Sequence, residues 1–569
     1  MLALDSRATL VSSVTVHGLL APIAQLDIDA YIDQPVVYDG WTATKGYELK
    51  VFVSLEVLRD HYHARVNDLI TQKFLSVDSS PPDRYRVHCR LRIVYPCSRT
   101  NPQKLKGSGK LPVVVLVHGH TEVLVASHTG FTYLQNYLAS KGIVSVSVDT
   151  NAANAFDSYV LMRAHLVLGA LDVLRELAAP KKDHPFSDRL DFDNVGMLGH
   201  SRGGDAVVLA AIMNPDRPDD KKCKITAVCA LAPTDLTGPK QATGGDSRLT
   251  NDHASFFAVI YGALDGDVVG GRSDGTGTGF RLYDRASAQK SMVFLDRCCH
   301  NPFNTIWEKN DRSLLQSDID NGRVLDWLSH HEVGKAYIGG LFRWRLLKQA
   351  KARSLFDGSA KKPVGGPASI QWSFGEKIYP LDEMYSNPVA GIRTVPGITM
   401  DMVSVVGVDG TPVKNRTNHQ TRVLVLPPTL PATAGMSAYK LENFPVKDWS
   451  AYDLFTFRAC ADADVSTQQT VNNSLLPEFT LVFSDGDNNS VSVLPASWTP
   501  QPRRPVFHQI KPNPDGENRT VIRLETLSIK LSDVAKGGVN LTQMASIEVV
   551  APANFAFHQF LDSFQLVKR

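Results

Sequence analysis

The chain has 569 residues, of which 60 are Lys or Arg and 58 Asp or Glu, a formal net charge of +2. A balance this even offers no field for a phosphate backbone or an anionic membrane, so neither nucleic acid nor a membrane surface is an expected partner. No apolar run approaches the ~20 residues needed to span a bilayer, and the length exceeds a single core, which predicts two or three domains of ~100–200 residues each.

The first stretch, Met1 to Leu10, contains Asp5 and Arg7 and lacks an apolar centre, while Val11 to Ile28 is broken by His17, Pro22 and Gln25. No secretory signal is expected, and the compartment stays open. Residues 1–110 read as a β-rich extension packed on the domain after it. Val51 to Leu55 and Tyr85 to Tyr95 have strand character, and the second alternates as a half-buried strand should. Asn101 to Lys110 is polar, with Pro102, Gly107 and Gly109, and reads as a loop.

The rhythm then changes. Val113 to Val117 is a continuous apolar run, fit for a strand covered on both faces. A helix is expected over Phe131 to Ser140, a buried strand over Ile143 to Val148 and a long helix over Tyr159 to Ala178. Val195 to Leu198 is the next strand, followed by a helix from Gly203 to Met213. Further strands are expected at Ile225 to Leu231, Phe256 to Tyr261 and Ser291 to Leu295, with helical patterns from Gly322 to about Leu355. Alternation at this spacing predicts a doubly wound, mostly parallel α/β sheet over residues 111–357.

Residues 358–368 form a Gly, Pro and Lys linker. From 369 to 569 the apolar runs are short and β-rich, including Thr421 to Leu426, Leu454 to Ala459, Phe479 to Phe483, Val521 to Leu524 and Ala545 to Val550. Turns such as Asp409-Gly410 and Asp485-Gly486-Asp487 separate them. This predicts an antiparallel β-sandwich. The seven cysteines, thinly spread, read as buried thiols, with Cys89–Cys97 and Cys223–Cys229 the open disulfide alternatives.

The most informative segment is Val195-Gly196-Met197-Leu198-Gly199-His200-Ser201-Arg202-Gly203-Gly204-Asp205-Ala206-Val207. A buried strand runs into G-x-S-x-G and then a helix. Such a turn needs glycines at its flanks and a strained backbone at the serine, which lifts the hydroxyl off the sheet and sets a helix N-terminus beneath a developing oxyanion. The bland alternative is a surface Gly-Ser turn. A hydroxyl needs a base, and after such an elbow the acid and then the histidine follow in the chain. Tyr261-Gly262-Ala263-Leu264-Asp265-Gly266-Asp267 ends a strand with two aspartates. Asp265 is favoured as the acid. Asp267 is the weaker candidate, with a turn role or a cation ligand as its alternatives. The strand Met292 to Leu295 leads into Cys298-Cys299-His300-Asn301-Pro302, which makes His300 the expected base. His330 and His331 come after a helical stretch and read as solvated. Backbone N–H groups of His120, in the His118-Gly119-His120 loop, and of Arg202 are the expected oxyanion donors. The rings of His118 and His120 read as lining or packing. No zinc spacing is present, so no metal and no cofactor are expected.

In order along the chain, HGH, GHSRGGDAV, YGALDGDV and CCHNPFNTIW resemble the α/β-hydrolase-fold serine esterases of the polyester hydrolase, cutinase and chlorophyllase-like branch of bacterial hydrolases. The resemblance spans roughly residues 85–350. Carried over by position, it implies a triad of Ser201, Asp265 and His300 with His120 and Arg202 as oxyanion donors. Asp205 stands where glutamate is expected, and Cys298-Cys299 where small residues are usual. The C-terminal part resembles jelly-roll modules of secreted enzymes. The implied activity is hydrolysis of a small-molecule or polymeric carboxylic ester through an acyl-enzyme. An acyltransferase or amidase using the same residues is the alternative enzyme. A non-catalytic protein binding glycan or polymer through the C-terminal part is the alternative from another class. Exposed Trp449 or Trp498, or a calcium ion at Asp485, Asp487 and Asn488, would favour a working role for that part. The loops Thr234 to Asp252 and Val268 to Gly279 are expected to rim the pocket.

Overall fold

The computed structural model describes residues 85–97, 105, 107–155, 160–180, 185–236, 248–268, 277–307, 311, 319–322, 324–360, 364–366, 368–382, 437–461, 479–498, 524–550 and 559–569, with short strands in 7–77 and 393–426. Two compact units result. The first holds residues 1–268, 276–288 and 297–353, the second 269–275, 289–296 and 354–569.

The first unit is built on one sheet. Its strands include β1 (Arg7–Leu10), β2 (Ile23–Ile32), β3 (Tyr85–Pro96), β4 (Leu111–Val117), β5 (Val144–Val148), β6 (Leu190–His200), β7 (Ile225–Leu231) and β8 (Phe257–Gly262). They lie in the order β1-β2-β3-β5-β4-β6-β7-β8. Pairing is antiparallel from β1 to β5 and parallel from β5 to β8. Val113 to Val117 are fully buried, as the strand of a sheet covered on both faces must be. The crossovers supply helices α1 (Thr132–Ser140), α2 (Val160–Ala178) and α3 (Arg202–Met213). Because four neighbouring strands run the same way, the segments leaving β4, β6, β7 and β8 all emerge at one carboxyl edge, where open α/β sheets bind ligands.

Most expected elements are present, with ends moved by a few residues. The strand expected at Val195 to Leu198 is eleven residues long. Elements with no counterpart in the expected runs include β1, β2, which pairs with β3 along its whole length, and α4 (Gly279–Arg285). Beyond them lie α5 (Trp327–Gly334), a π turn at Lys335–Gly339 and α6 (Gly340–Leu347). Of the run Val51 to Leu55 only Val51–Phe52 is described, as a strand. Of the rim loops, residues 237–247 and 269–276 lie outside the described residues, as do 521–523 of the run Val521 to Leu524. Cys97, Cys223, Cys229, Cys298 and Cys299 are free and buried, so neither alternative disulfide forms. No helix among the described residues is long and apolar enough to cross a membrane.

The second unit is β-rich. Strands β9 (Lys290–Leu295) and β10 (Ala368–Ser373) pair antiparallel over six residues. The remaining strands are β11 (Lys377–Asp382), β12 (Arg393–Thr394), β13 (Thr399–Met402), β14 (Arg422–Leu426), β15 (Ser437–Glu442), β16 (Leu454–Ala461), β17 (Thr480–Asp485), β18 (Ser490–Val493), β19 (Glu525–Lys530), β20 (Met544–Val550) and β21 (Gln559–Lys568). They form two antiparallel sheets, β13-β14-β21-β16-β19 with β11 on β21, and β12-β15-β20-β17-β18. Phe455, Phe457, Phe564 and Leu566 of the first share one buried apolar cluster with Tyr439, Leu481, Phe483 and Val549 of the second. The Phe455 and Phe483 rings meet edge to face at 5.2 Å.

Trp449 and Trp498 both lie in that cluster, buried, and so present no exposed aromatic platform. Asp485 accepts hydrogen bonds from the backbone N–H groups of Asp487, Asn489 and Asn540. Its carboxylate staples a turn. No group of three or more His, Cys, Asp or Glu side chains among the described residues is arranged to hold a metal ion.

Candidate active site

Ser201 sits where β6 turns into α3, with φ 58° and ψ −127°. A β-carbon makes this left-handed region costly, and a residue held there marks a constrained functional turn. Its N–H donates to the Leu231 carbonyl at 2.9 Å, and its carbonyl accepts from Gly204 N–H at 2.8 Å. The glycines explain how the turn closes. A Cβ on Gly199 would lie 1.9 Å from the Gly203 carbonyl oxygen, so strand and helix backbones touch there. At Gly119 a Cβ would lie 2.5 Å from the Ser201 Cβ, so the loop after β4 runs directly against the serine.

That loop is held by His118. The buried ring accepts a hydrogen bond at Nε2 from Thr150 N–H, 2.9 Å. Its proton therefore resides on Nδ1, which donates to the Gly119 carbonyl at 2.9 Å. A trans peptide points its C=O and N–H in opposite directions, so the His120 N–H faces away from the His118 ring. Arg202 is the first residue of α3, so its N–H lies in the first turn, where the helix's own carbonyls cannot accept it. Asp205, buried in the first turn of α3, accepts from Leu236 N–H at 2.7 Å. The aspartate found where glutamate was expected thus anchors the segment after β7.

Beyond β8, Asp265 is buried and its Oδ2 lies 2.7 Å from His300 Nδ1. Its other oxygen accepts from the N–H groups of Asp267, 3.0 Å, and Val268, 2.7 Å, which fixes the carboxylate's orientation. Asp267 is mostly exposed, with a carboxylate oxygen 3.6 Å from His300 Nε2. The two aspartates therefore approach opposite nitrogens of one ring. Burial holds the Asp265 carboxyl up, to about 6, against the pull of His300. For His300, burial works against the imidazolium, but Asp265, Asp267 and a third carboxylate, Asp311, outweigh it and raise the pKa to about 9.

His300 is also close to the serine's own strand. Its ring centroid is 4.6 Å from that of His200, the residue before Ser201. Trp307 stacks on the same His200 ring, with centroids 4.7 Å apart. Burial, and then the charge of His300, push His200 well below the usual histidine range, so it stays neutral. The His300-Asn301-Pro302-Phe303-Asn304-Thr305 run returns to the segment after the Gly119 loop. Asn304 Nδ2 donates to the Ser127 carbonyl at 3.0 Å, Thr305 N–H to the Gly130 carbonyl at 3.0 Å and Trp307 Nε1 to Ser127 Oγ at 2.8 Å.

Two residues at this site had no functional signal in the sequence. Asp311 lies in no motif, and His330 was expected in solvent. His330 is in fact buried on α5, where its Nε2 accepts from Cys299 N–H at 3.1 Å, and His331 is buried beside it. A histidine facing inward from a short helix, well past an aspartate that belongs to no motif, leaves no local pattern to detect.

No curated protein sequence matches this chain. Residues 93–239, from β3 through the elbow to just past β7, match the PETase family, described as PET hydrolase-like, and this segment, which ends before Asp265 and His300, is similar to that α/β-hydrolase-type polyester hydrolase family.

Proposed function

We propose that the chain is a carboxylic-ester hydrolase that works through an acyl-enzyme on Ser201. The observation that carries this reading is the pairing of a left-handed serine at a strand-to-helix turn with a buried Asp265–His300 couple whose imidazole touches the neighbouring His200 ring. The similarity of residues 93–239 to a polyester hydrolase family supports the same chemistry.

On this reading His300 Nε2 removes the Ser201 proton as the hydroxyl attacks the ester carbonyl. Asp265 holds the ring with its proton on Nδ1 and stabilises the imidazolium that forms. The tetrahedral oxyanion rests on the N–H groups of His120 and Arg202. His300 then protonates the leaving alkoxide, and water repeats the sequence on the acyl-serine. No cofactor enters. The substrate class is a small-molecule or polymeric ester. Residues 111–357 are the hydrolase part, with residues 1–110 as its β-rich extension. Residues 369–569 form a jelly-roll-like β-sandwich behind the 358–368 linker, a reading supported by the two antiparallel sheets that share one aromatic core.

The test is hydrolysis of p-nitrophenyl esters of graded chain length. Ser201→Ala is expected to lose on the order of 10³-fold or more in kcat and to lose labelling by a fluorophosphonate. Turnover at the parent rate in that variant would remove Ser201 from the mechanism.

A further inference from the structure

Asp311 is buried, and its carboxylate binds three backbone donors from two separate loops. Oδ2 accepts from Gly266 N–H at 2.8 Å and from His300 N–H at 2.6 Å, and Oδ1 accepts from Asn301 N–H at 2.7 Å. Gly266 comes directly after Asp265, and the other two donors are the base and its successor. One anion therefore ties the acid-bearing loop to the base-bearing loop at the positions where they must stay in register. The Cys299 N–H is taken by His330, so three consecutive amides around His300 are each held by a buried side chain. Buried carboxylates with several N–H donors are strong, charge-assisted clamps.

We propose that Asp311 is a positioning residue for the reaction, a carboxylate clamp that sets the distance and angle between Asp265 and His300. This rests on the hydrolase reading above. It assigns Asp311 a role distinct from that of Asp265, because its contacts with the base are to the backbone and not to the ring. A misplacement of ~1 Å at a catalytic group can cost ~10²-fold in rate. The clamp also adds negative charge beside the imidazole, together with Asp265 and Asp267, while His200, Tyr261, Cys299 and His330 are further titratable groups facing this cluster.

The test uses the full chain with Asp311→Asn and Asp311→Glu, both checked for a parent-like thermal melt. Asp311→Asn is expected to lower kcat by ~10- to 100-fold with KM nearly unchanged. Removing the charge also lowers the His300 pKa, read by NMR titration of the ring, so the acidic limb of kcat/KM moves to lower pH. Asp311→Glu keeps the charge but not the three-way fit. It is expected to lose kcat while leaving the His300 titration near the parent's. A residue of merely structural importance would change the melt without moving that titration. In the parent, the amides of Gly266, His300 and Asn301 are expected to exchange slowly. Fast exchange there, or unchanged kcat and unchanged titration in a folded Asp311→Asn variant, overturns the clamp. If Ser201→Ala turns over normally, the acyl-Ser201 reading falls, while the exchange and titration still decide whether Asp311 holds the two loops.

Discussion

His300 can accept a proton only when its ring is neutral, yet three carboxylates around it favour the charged form. Its pKa is raised to about 9 by those carboxylates, which favours the imidazolium before substrate binds. Activity should therefore climb through the alkaline range, with the acidic limb of kcat/KM well above the ordinary histidine midpoint of ~6.5. Asp267 offers a way to separate the contributions. Its carboxylate is exposed and 3.6 Å from Nε2, on the side away from Asp265. Asp267→Asn should shift the acidic limb to lower pH and leave the plateau kcat close to the parent's. Raising the salt concentration should shrink the difference, because an exposed charge is screened. A variant with an unmoved limb but a collapsed plateau would mean that Asp267 takes part directly. At this scale the sequence locates a residue that comes after a strand within a motif, as Ser201 and His300 do. It was silent on Asp311 and misleading on His330, since their partners are backbone amides of other segments and no local pattern encodes them.

The elbow is the element on which the site depends, and its tightness is a matter of backbone contact. Gly199 faces the Gly203 carbonyl so closely that a methyl group cannot enter without moving α3 away from β6. Gly199→Ala should cost at least the ~1–3 kcal/mol of an overpacked interior and depress kcat further, because α3 carries the Arg202 N–H. Gly109→Ala, where nothing lies within 4 Å, is the matched control and should behave as the parent in both melting and turnover. Equal melting of the two variants would show that the contact relaxes freely. The glycines, the buried strands and α3 were all legible, since a parallel strand covered on both faces writes itself as an unbroken apolar run. By contrast β2 is not legible from its own segment. Its Ile-Ala-Gln-Leu-Asp-Ile-Asp-Ala-Tyr-Ile alternates as an antiparallel strand does, but its partner β3 begins more than fifty residues later, and the pairing is what defines it.

At the scale of the whole molecule, the division into units does not run along the chain in order. Strand β9 belongs with the second unit although it lies between residues of the first, and the base loop comes after it in the chain. Its partner there is β10, registered from Lys290 opposite Ser373 to Leu295 opposite Ala368. Ser291 in the same strand donates its hydroxyl proton to the Phe356 carbonyl at 2.7 Å. Removing residues 368–569 would therefore strip β9 of a hydrogen-bonded neighbour and leave a buried strand with unpaired backbone groups, each costly unless water reaches it. The expected result for a chain ending at residue 367 is poor solubility or a melt well below the parent's, with kcat reduced because the strand leading to His300 is no longer held. Extending the cut-back chain to residue 375 restores β10 but not the aromatic core of the second unit, so it should recover little, since a lone added strand brings none of the packing that stabilises it. A 1–367 chain that melts and turns over like the parent would instead show that the first unit and β9 stand alone, and that the β-rich part can be studied as a separate folding unit.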